Sequence, residues 1–355
     1  MYKLIFATGG TGGHIFPALA VAEEIRRRYP EWNILFMGGK FGPEKKIIQA
    51  KNFPFIALPV RGLMGRGIKG VYQVAGLSWS VLKSFYYLKK YKPDLVMGFG
   101  SYAAFPPIWA AQIMGLKTII HEQNASPGMA NRVLGKKATK IFLSFPDEYS
   151  FFPAKKVIIT GNPVRTELFL VQEKTNFSAR NLLVLGGSQG ATVINRAILD
   201  CLKELKAARI NIWHQTGPKD YAMVKEKYSK TYPKAKVDAF IEDMVKAYEF
   251  ADLVLCRAGA TTIAELSVVK RPSLLIPYPY ATYDHQLKNA RVLERVGAGL
   301  IIMQPYLGEI NLATIITDLL DTPQKLQQMA LNYTKLGNNN ALENIIEELK
   351  KIINS

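Results

Sequence analysis

Twice in this chain an apolar run ends in a glycine-rich turn and opens into a helical pattern: KLIFATGGTGGH at the start and NLLVLGGSQGA near residue 187. A strand that feeds a helix through a tight glycine turn is the repeating unit of a parallel sheet, because parallel strands need a crossover between them. The first turn is followed by the apolar runs NILFMGG, DLVMGFG, KTIIHEQN and KIFLSF. The second is followed by INIWHQTG, KVDAFI, ADLVLCRAGA, PSLLIPYP and AGLIIM. The fold class expected is α/β, with two Rossmann-like, doubly wound parallel-sheet domains facing each other across a cleft. The link should lie in FFPAKKVIITGNPVRTEL, which Pro153 and Pro163 punctuate. That gives domains over residues 1–163 and 164–339. In the tail, 340–355, Leu342, Ile345, Ile346, Leu349, Ile352 and Ile353 are spaced as one face of a helix. This helix is expected to pack back on the first half.

Other classes are disfavoured by composition. The chain has 355 residues, enough for two cores, and only two cysteines, Cys201 and Cys256. No disulfide framework or cysteine-rich zinc site follows from that, and the four histidines show no metal-ligand spacing. The start, MYKLIFATGG, lacks a basic segment before a long apolar one, so no signal peptide is expected. Leu95–Leu116 carries no formal charge and is long enough to span a bilayer. Its glycines and prolines instead predict strand, turn and helix. Net charge is +18 and one-sided: residues 1–164 hold 22 Lys/Arg against 8 Asp/Glu, the rest 24 against 20. A polyanion, nucleic acid or an anionic membrane, would suit the first half, and so would solubility alone.

The chemistry-bearing residues cluster at the turns. Thr11, Gly12 and Gly13 lie in a loop that admits close backbone approach and opens a helix N-terminus, a natural anion site. The loop fits neither G-x-G-x-x-G nor a P-loop, so a plain strand–helix turn is its other reading. His14 at its mouth is a candidate general base or a helix-capping residue. The loop Gly186–Gly190, with Ser188, suits phosphate oxygens. Ala260, Thr261, Thr262, Ile263, Ala264 and Glu265 form a turn entering another helix. Glu265 there serves either two ribose hydroxyls or the helix dipole. His121–Gly128 should follow a strand into the cleft, and Arg165 should sit at the link as a cation for a diphosphate or a surface ion pair. Cys256 reads as a buried strand residue.

Taken together, GGTGGHIFPALA, HEQN, GNPVR, GGSQGA, IWHQTG and the run CRAGATTIAEL to DHQLKNA resemble, in this order, the MurG family of bacterial peptidoglycan N-acetylglucosaminyltransferases (glycosyltransferase family 28). The resemblance spans essentially the whole chain. It implies the GT-B fold and an inverting transfer of N-acetylglucosamine from UDP-GlcNAc to the C4 hydroxyl of the muramic acid of lipid I (undecaprenyl-diphospho-N-acetylmuramoyl-pentapeptide), giving lipid II. It implies donor contacts at Thr11, Gly12, Gly13, Asn124, Arg165, Ser188, Ile241, Ala260–Glu265 and Gln286, the last contacting the sugar. The third glycine loop, usually close to GGYxSxP, reads Gly100, Ser101, Tyr102, Ala103, Ala104, Phe105, Pro106 here. It is expected to bind the acceptor diphosphate. His285 stands where the family often has a paired glutamine.

His14 is the expected base, and helix N-termini, loop N–H groups and Arg165 meet the charge of the departing UDP. No Asp-x-Asp motif is present, and no cofactor or metal is expected. Because lipid I stays in the bilayer, the resemblance implies a peripheral protein on the cytoplasmic face of the inner membrane, in contact with anionic lipids. The stretch Arg61–Lys92 fits such docking. Arg66, Lys69, Lys83, Lys89, Lys90 and Lys92 alternate there with apolar residues that include Val71, Val74, Trp79, Leu82 and Phe85. An ordinary helix with one solvated face is its other reading. Rival functions are a UDP-sugar 2-epimerase, a glycosyltransferase acting on another lipid, a silent nucleotide-sugar sensor and a nucleic-acid binder. The last lacks any recognised motif, so no nucleic-acid partner is expected.

Overall fold

The computed structural model describes residues 1–60, 68–148, 150–187, 189–337 and 340–354, with the side chains of 68–74 excepted. Its described residues form two compact units, Met1–Arg165 with Asn340–Ser355, and Thr166–Asn339.

The first unit holds β1 (Lys3–Ala7), β2 (Asn33–Gly39), β3 (Phe55–Leu58), β4 (Leu95–Gly98), β5 (Thr118–Glu122), β6 (Lys140–Leu143) and β7 (Val157–Ile159). They form one parallel sheet in the order β3-β2-β1-β4-β5-β6-β7. Its helices are α1 (Gly12–Arg28), α2 (Glu44–Ala50), α3 (Ile68–Tyr91), α4 (Phe105–Ile113) and α5 (Met129–Gly135). In the second unit, β8 (Asn181–Leu185), β9 (Asn211–Gln215), β10 (Lys236–Asp238), β11 (Leu253–Cys256), β12 (Ser273–Leu275) and β13 (Gly299–Ile301) form a parallel sheet ordered β10-β9-β8-β11-β12-β13. Its helices are α6 (Thr192–Asp200), α7 (Leu202–Ala207), α8 (Tyr221–Thr231), α9 (Met244–Phe250), α10 (Ala260–Val269), α11 (His285–Val296), α12 (Leu312–Leu320) and α13 (Pro323–Asn332).

Strands such as LIFA in β1, LVLC in β11 and all of β4 are buried throughout. That explains why they read as unbroken apolar runs rather than alternating ones. In each unit the glycine turn follows the strand whose neighbours lie on either side of the order reversal: β1 between β2 and β4, β8 between β9 and β11. The carboxyl end of such a strand is where open α/β sheets bind ligands. The uncharged Leu95–Leu116 becomes β4, a one-turn helix over Tyr102–Ala104, and α4. Among the described residues no helix is long and apolar enough to cross a membrane.

The tail forms α14 (Ala341–Asn354), whose Leu342, Ile345, Ile346, Leu349 and Ile352 join the core that α1 shares with β1 and β4. Polar ties fix its register on the first unit. Lys117 Nζ donates to the carbonyl of Ile352 (2.9 Å), Asn344 Nδ2 to that of Thr160 (3.1 Å), and Arg28 pairs with Glu343 at 2.6 Å. Two short strands, β3 and β7, are absent from the sequence pattern. Both are sheet edges, where burial on one side is incomplete and the apolar run is short.

Candidate active site

In the first unit, β1 delivers the chain into the turn Thr8–Thr11, and Thr11 is the N-cap of α1 in extended conformation, its side chain making no capping bond. Thr8 Oγ1 donates to the carbonyl of His14 at 2.9 Å and so fixes the first turn of the helix from below. Gly10, at φ 81°, lies against the β4–α4 loop: a Cβ there would sit 2.8 Å from Ser101 Oγ. Thr11 is exposed, and Gly12, Gly13 and His14 are partly exposed. The side chain of His14 reaches β5's continuation, with Nδ1 3.0 Å from Gln123 Oε1.

The HEQN segment is a buried hydrogen-bond cluster. Glu122, almost fully buried, accepts at Oε1 from Asn124 N (3.0 Å) and Nδ2 (3.2 Å), and at Oε2 from Gly128 N (3.1 Å) and Asn131 Nδ2 (2.9 Å). This carboxylate sets the shape of the loop that presents Asn124. Gln123 Nε2 donates to the carbonyl of Phe99 (3.0 Å) and lies 3.2 Å from His121 Nδ1; His121 Nε2 lies 3.0 Å from the carbonyl of Gly161. Complete burial holds the His121 pKa down to about 4, so this ring is neutral near pH 7. The Arg165 guanidinium lies over the Phe16 ring, 5.9 Å from its centroid, which sets it beside the first turns of α1.

Gly100, Ser101 and Tyr102, the loop expected to bind the acceptor diphosphate, follow β4. Gly100 takes φ 79°, and Ser101 takes φ 69° with ψ 156°, a region that essentially only glycine occupies. The serine therefore stands where the backbone calls for the missing glycine of the family pattern. Ser101→Gly is expected to raise stability by about 1 kcal/mol, strain relief less the entropy of a freer unfolded chain. An unchanged or lowered midpoint in urea unfolding would contradict this.

In the second unit, Ser188 lies outside the described residues. Its loop is held by Gln215, whose Nε2 donates to the carbonyl of Gly187 (3.0 Å) while its Oε1 accepts from Ile241 N (2.8 Å). One buried amide thus ties the glycine loop to the segment expected to meet uracil, and it leaves the carbonyl of Ile241, not its N–H, for a ligand. Ala260–Glu265 open α10 after the N-cap Gly259. Glu265 is not an exposed dipole partner: it is 9% exposed, six residues into the helix, and its Oε2 accepts from Tyr248 Oη at 2.9 Å. Gln286, in the first turn of α11, accepts at Oε1 from Tyr278 N (3.0 Å). His285 Nδ1 donates to the carbonyl of Thr282 (2.8 Å), so the histidine in place of a glutamine locks the turn before α11. Burial pushes the Cys256 thiol far above its usual range, with Glu265 adding to it; the thiol stays protonated and non-nucleophilic.

The membrane-contact candidates divide. Trp79 and Leu82 are 61% and 60% exposed on α3, whereas Phe85 is half-buried and packs on the core. Tyr86, at 60%, is a further large apolar side chain exposed on α3. The helix winds 3.6 residues per turn, so the exposed stripe runs 79, 82, 86 and turns residue 85 inward. Trp109 and Ile113 of α4, a helix packed against α3, are exposed too. Lys83 bends inward to the carbonyl of Ala57 (2.8 Å), while Lys89 and Lys90 are exposed. Arg66 lies outside the described residues, as do the side chains of Lys69, Val71 and Val74.

Gln123, Gln215 and Tyr248 are residues to which motif reading assigned no role of their own. The first two stand inside the quoted motifs HEQN and IWHQTG, beside the residues chosen. Tyr248 carried no signal, because its partner Glu265 is remote in sequence.

The chain is similar to known proteins along nearly its whole length. The glycosyltransferase family 28 N-terminal domain model matches residues 4–143 and the family 28 C-terminal domain model residues 181–349. The chain is 42% identical to a protein of Nitratidesulfovibrio vulgaris (strain Hildenborough) over 99% of this chain and 98% of that one. It is 44% identical to one of Lawsonia intracellularis over 100% and 98%. Both relatives are named UDP-N-acetylglucosamine–N-acetylmuramyl-(pentapeptide) pyrophosphoryl-undecaprenol N-acetylglucosamine transferase. Among solved structures, Acinetobacter baumannii MurG superposes with a TM-score of 0.76 at 29% identity, covering 99% of this chain and all of the other. A putative UDP-N-acetylglucosamine 2-epimerase of Listeria monocytogenes shares the fold alone, with a TM-score of 0.69 at 14% identity, over 98% of this chain and 96% of the other.

Proposed function

The chain belongs to glycosyltransferase family 28, and from that membership we propose that it moves N-acetylglucosamine from UDP-GlcNAc to the C4 hydroxyl of the muramic acid of lipid I, making lipid II for peptidoglycan. The observation that carries this is full-length identity above 40% to relatives named for that transfer. The chain is a UDP-GlcNAc-dependent hexosyltransferase with the GT-B fold. The local geometry of both units is compatible with the chemistry. His14, partly exposed at the mouth of the first glycine turn, takes the proton of the attacking hydroxyl. Breaking the bond to UDP leaves negative charge on the diphosphate. The N-termini of α1 and α10 and the Arg165 cation are the groups suited to that charge.

Residue roles follow on the same footing. Thr11, Gly12, Gly13, Asn124 and Arg165 in the first unit, and Ser188, Ile241, Ala260–Glu265 and Gln286 in the second, contact the donor. Glu265, set in place by Tyr248 Oη, holds the ribose hydroxyls. Gln286, with its carbonyl oxygen on Tyr278 N, presents its amide nitrogen to the sugar. Gly100, Ser101 and Tyr102 meet the acceptor diphosphate. In this reading these groups carry the charge of the departing diphosphate without a metal or other cofactor. The decisive experiment mixes the protein, labelled UDP-GlcNAc and a short-chain lipid I analogue. Label entering the lipid fraction is the expected result. Consumption of UDP-GlcNAc without acceptor would point to an epimerase, and no turnover with tight UDP binding to a sensor.

The protein works on the cytoplasmic face of the inner membrane, bound peripherally to anionic lipids. Trp79, Leu82 and Tyr86, with Trp109 and Ile113 nearby and Lys89 and Lys90 on the same helix, suit an interface of headgroups and acyl chains. Replacing Trp79 and Leu82 together by Ser is expected to weaken binding to anionic vesicles on the order of 30- to 150-fold, at about 1–1.5 kcal/mol per side chain. UDP affinity should be unaffected. Vesicle sedimentation reads the result, and equal binding by the variant would remove the docking assignment.

A further inference from the structure

We propose that Gln123 is a positioning residue that sets the tautomer of His14, holding its proton on Nδ1 and leaving Nε2 as the bare acceptor for the hydroxyl proton. This rests on the reading of His14 as the base. Two main-chain carbonyls, which can only accept, decide the matter. The amide atom of Gln123 that lies 3.0 Å from the carbonyl oxygen of Phe99 must be nitrogen. The other amide atom, 3.0 Å from His14 Nδ1, is then oxygen. An amide oxygen only accepts, so Nδ1 must donate. The second hydrogen on Gln123 Nε2 goes to His121 Nδ1 at 3.2 Å, which makes that atom an acceptor and puts the His121 proton on Nε2. That Nε2 lies 3.0 Å from the carbonyl of Gly161, the second fixed acceptor. Flipping the amide would set two oxygens against each other at Phe99 and leave His121 without its donor.

The assignment is self-consistent from Gly161 to His14, and each donor is used once. His121 is fully buried, so its ring does not charge near pH 7 and its Nδ1 remains an acceptor. Gly100 keeps the space open. At φ 79° it passes so close that a Cβ would lie 3.0 Å from His14 Nδ1 and 3.4 Å from Gln123 Oε1. Among the described residues His14 Nε2 has no hydrogen-bond partner. In the transfer step the acceptor O–H bond breaks and the N–H bond forms at Nε2. The ring becomes an imidazolium, whose Nδ1–H still points at the negative end of the Gln123 amide. A neutral imidazole without that amide spreads its proton over both nitrogens, and the fraction with Nδ1–H cannot be relied on when the acceptor arrives.

The test uses the full chain labelled with 15N-histidine. Long-range 15N–1H correlation distinguishes a protonated from a bare ring nitrogen, and the signal missing from His14→Ala identifies residue 14. Near neutral pH the His14 signal should show Nδ1 protonated and Nε2 bare. In Gln123→Met it should become a tautomer mixture, with kcat lower by about 10- to 100-fold, within the range of general-base contributions. The donor KM should stay within about twofold, a split that general loosening of the fold would not produce. The proposal is overturned by Nε2–H in the wild-type spectrum, a measurement that does not depend on any variant folding. It is equally overturned by Gln123→Met that keeps either the wild-type tautomer or the wild-type kcat. Failure of the transfer reading looks different: no label reaches lipid in the wild-type chain while its His14 spectrum still shows Nδ1–H.

Discussion

His14→Ala should lower the rate of sugar transfer by about 100- to 10,000-fold, the span that a positioned general base contributes. In free energy of activation that is about 3–5 kcal/mol. The backbone should not move, because the bond that fixes the first turn of α1 runs from Thr8 Oγ1 to the carbonyl of residue 14, and alanine keeps that carbonyl. Alanine is also the best helix former at such a position. What disappears is the imidazole, and with it the hydrogen bond from Nδ1 to Gln123 Oε1. UDP binding should stay within about threefold, since the phosphate and ribose contacts proposed above are made by other residues. Transfer rates with saturating donor, together with UDP titration, separate the two effects. A variant that transfers sugar within threefold of wild type would exclude His14 as the base.

A chain ending at residue 339 should fail to fold its first unit. Removing α14 uncovers the core that Leu342, Ile345, Ile346, Leu349 and Ile352 complete against α1. At about 1.5–3 kcal/mol for each buried aliphatic side chain, the loss is roughly 8–15 kcal/mol, which is the whole stability of an ordinary domain. The ties from Lys117, Arg28 and Thr160 go as well. The second unit contributes nothing to that core and should keep its structure. Limited proteolysis should leave a protected fragment from the second unit and digest residues before Arg165. Equal protection of both units would refute the expectation.

Much of the fold was legible because α/β units write themselves in a short code. A strand buried on both faces must be apolar throughout, its exit must turn within a few residues, and the helix after it shows a 3.6 period. β1, β4, β8 and β11 obey all three rules. β3 and β7 do not, since an edge strand has only one neighbour to satisfy and needs only a few residues. The site was legible where the backbone itself does the work, in the glycine turns and the opening of α10. It was less so where side chains act through other side chains. Gln123 sits beside Asn124 in one motif, yet which of them faces His14 depends on how β5 ends. Tyr248 meets Glu265 only because α9 and α10 flank β11, a tertiary fact without sequence spacing. Phe85 shows the limit of counting: a shift of one residue around α3 separates the solvated stripe from the core.

The last helix also dictates an order of events during synthesis. The ribosome releases the whole of Thr166–Asn339 before it releases the residues that close the first unit. The second unit is therefore able to finish while the earlier segment still lacks one wall. That earlier segment must wait, with the apolar face of α1 uncovered, until Ile352 emerges. A nascent chain of this kind is exposed to proteases and chaperones until α14 has been made, and a premature stop at codon 340 leaves it in that state for good.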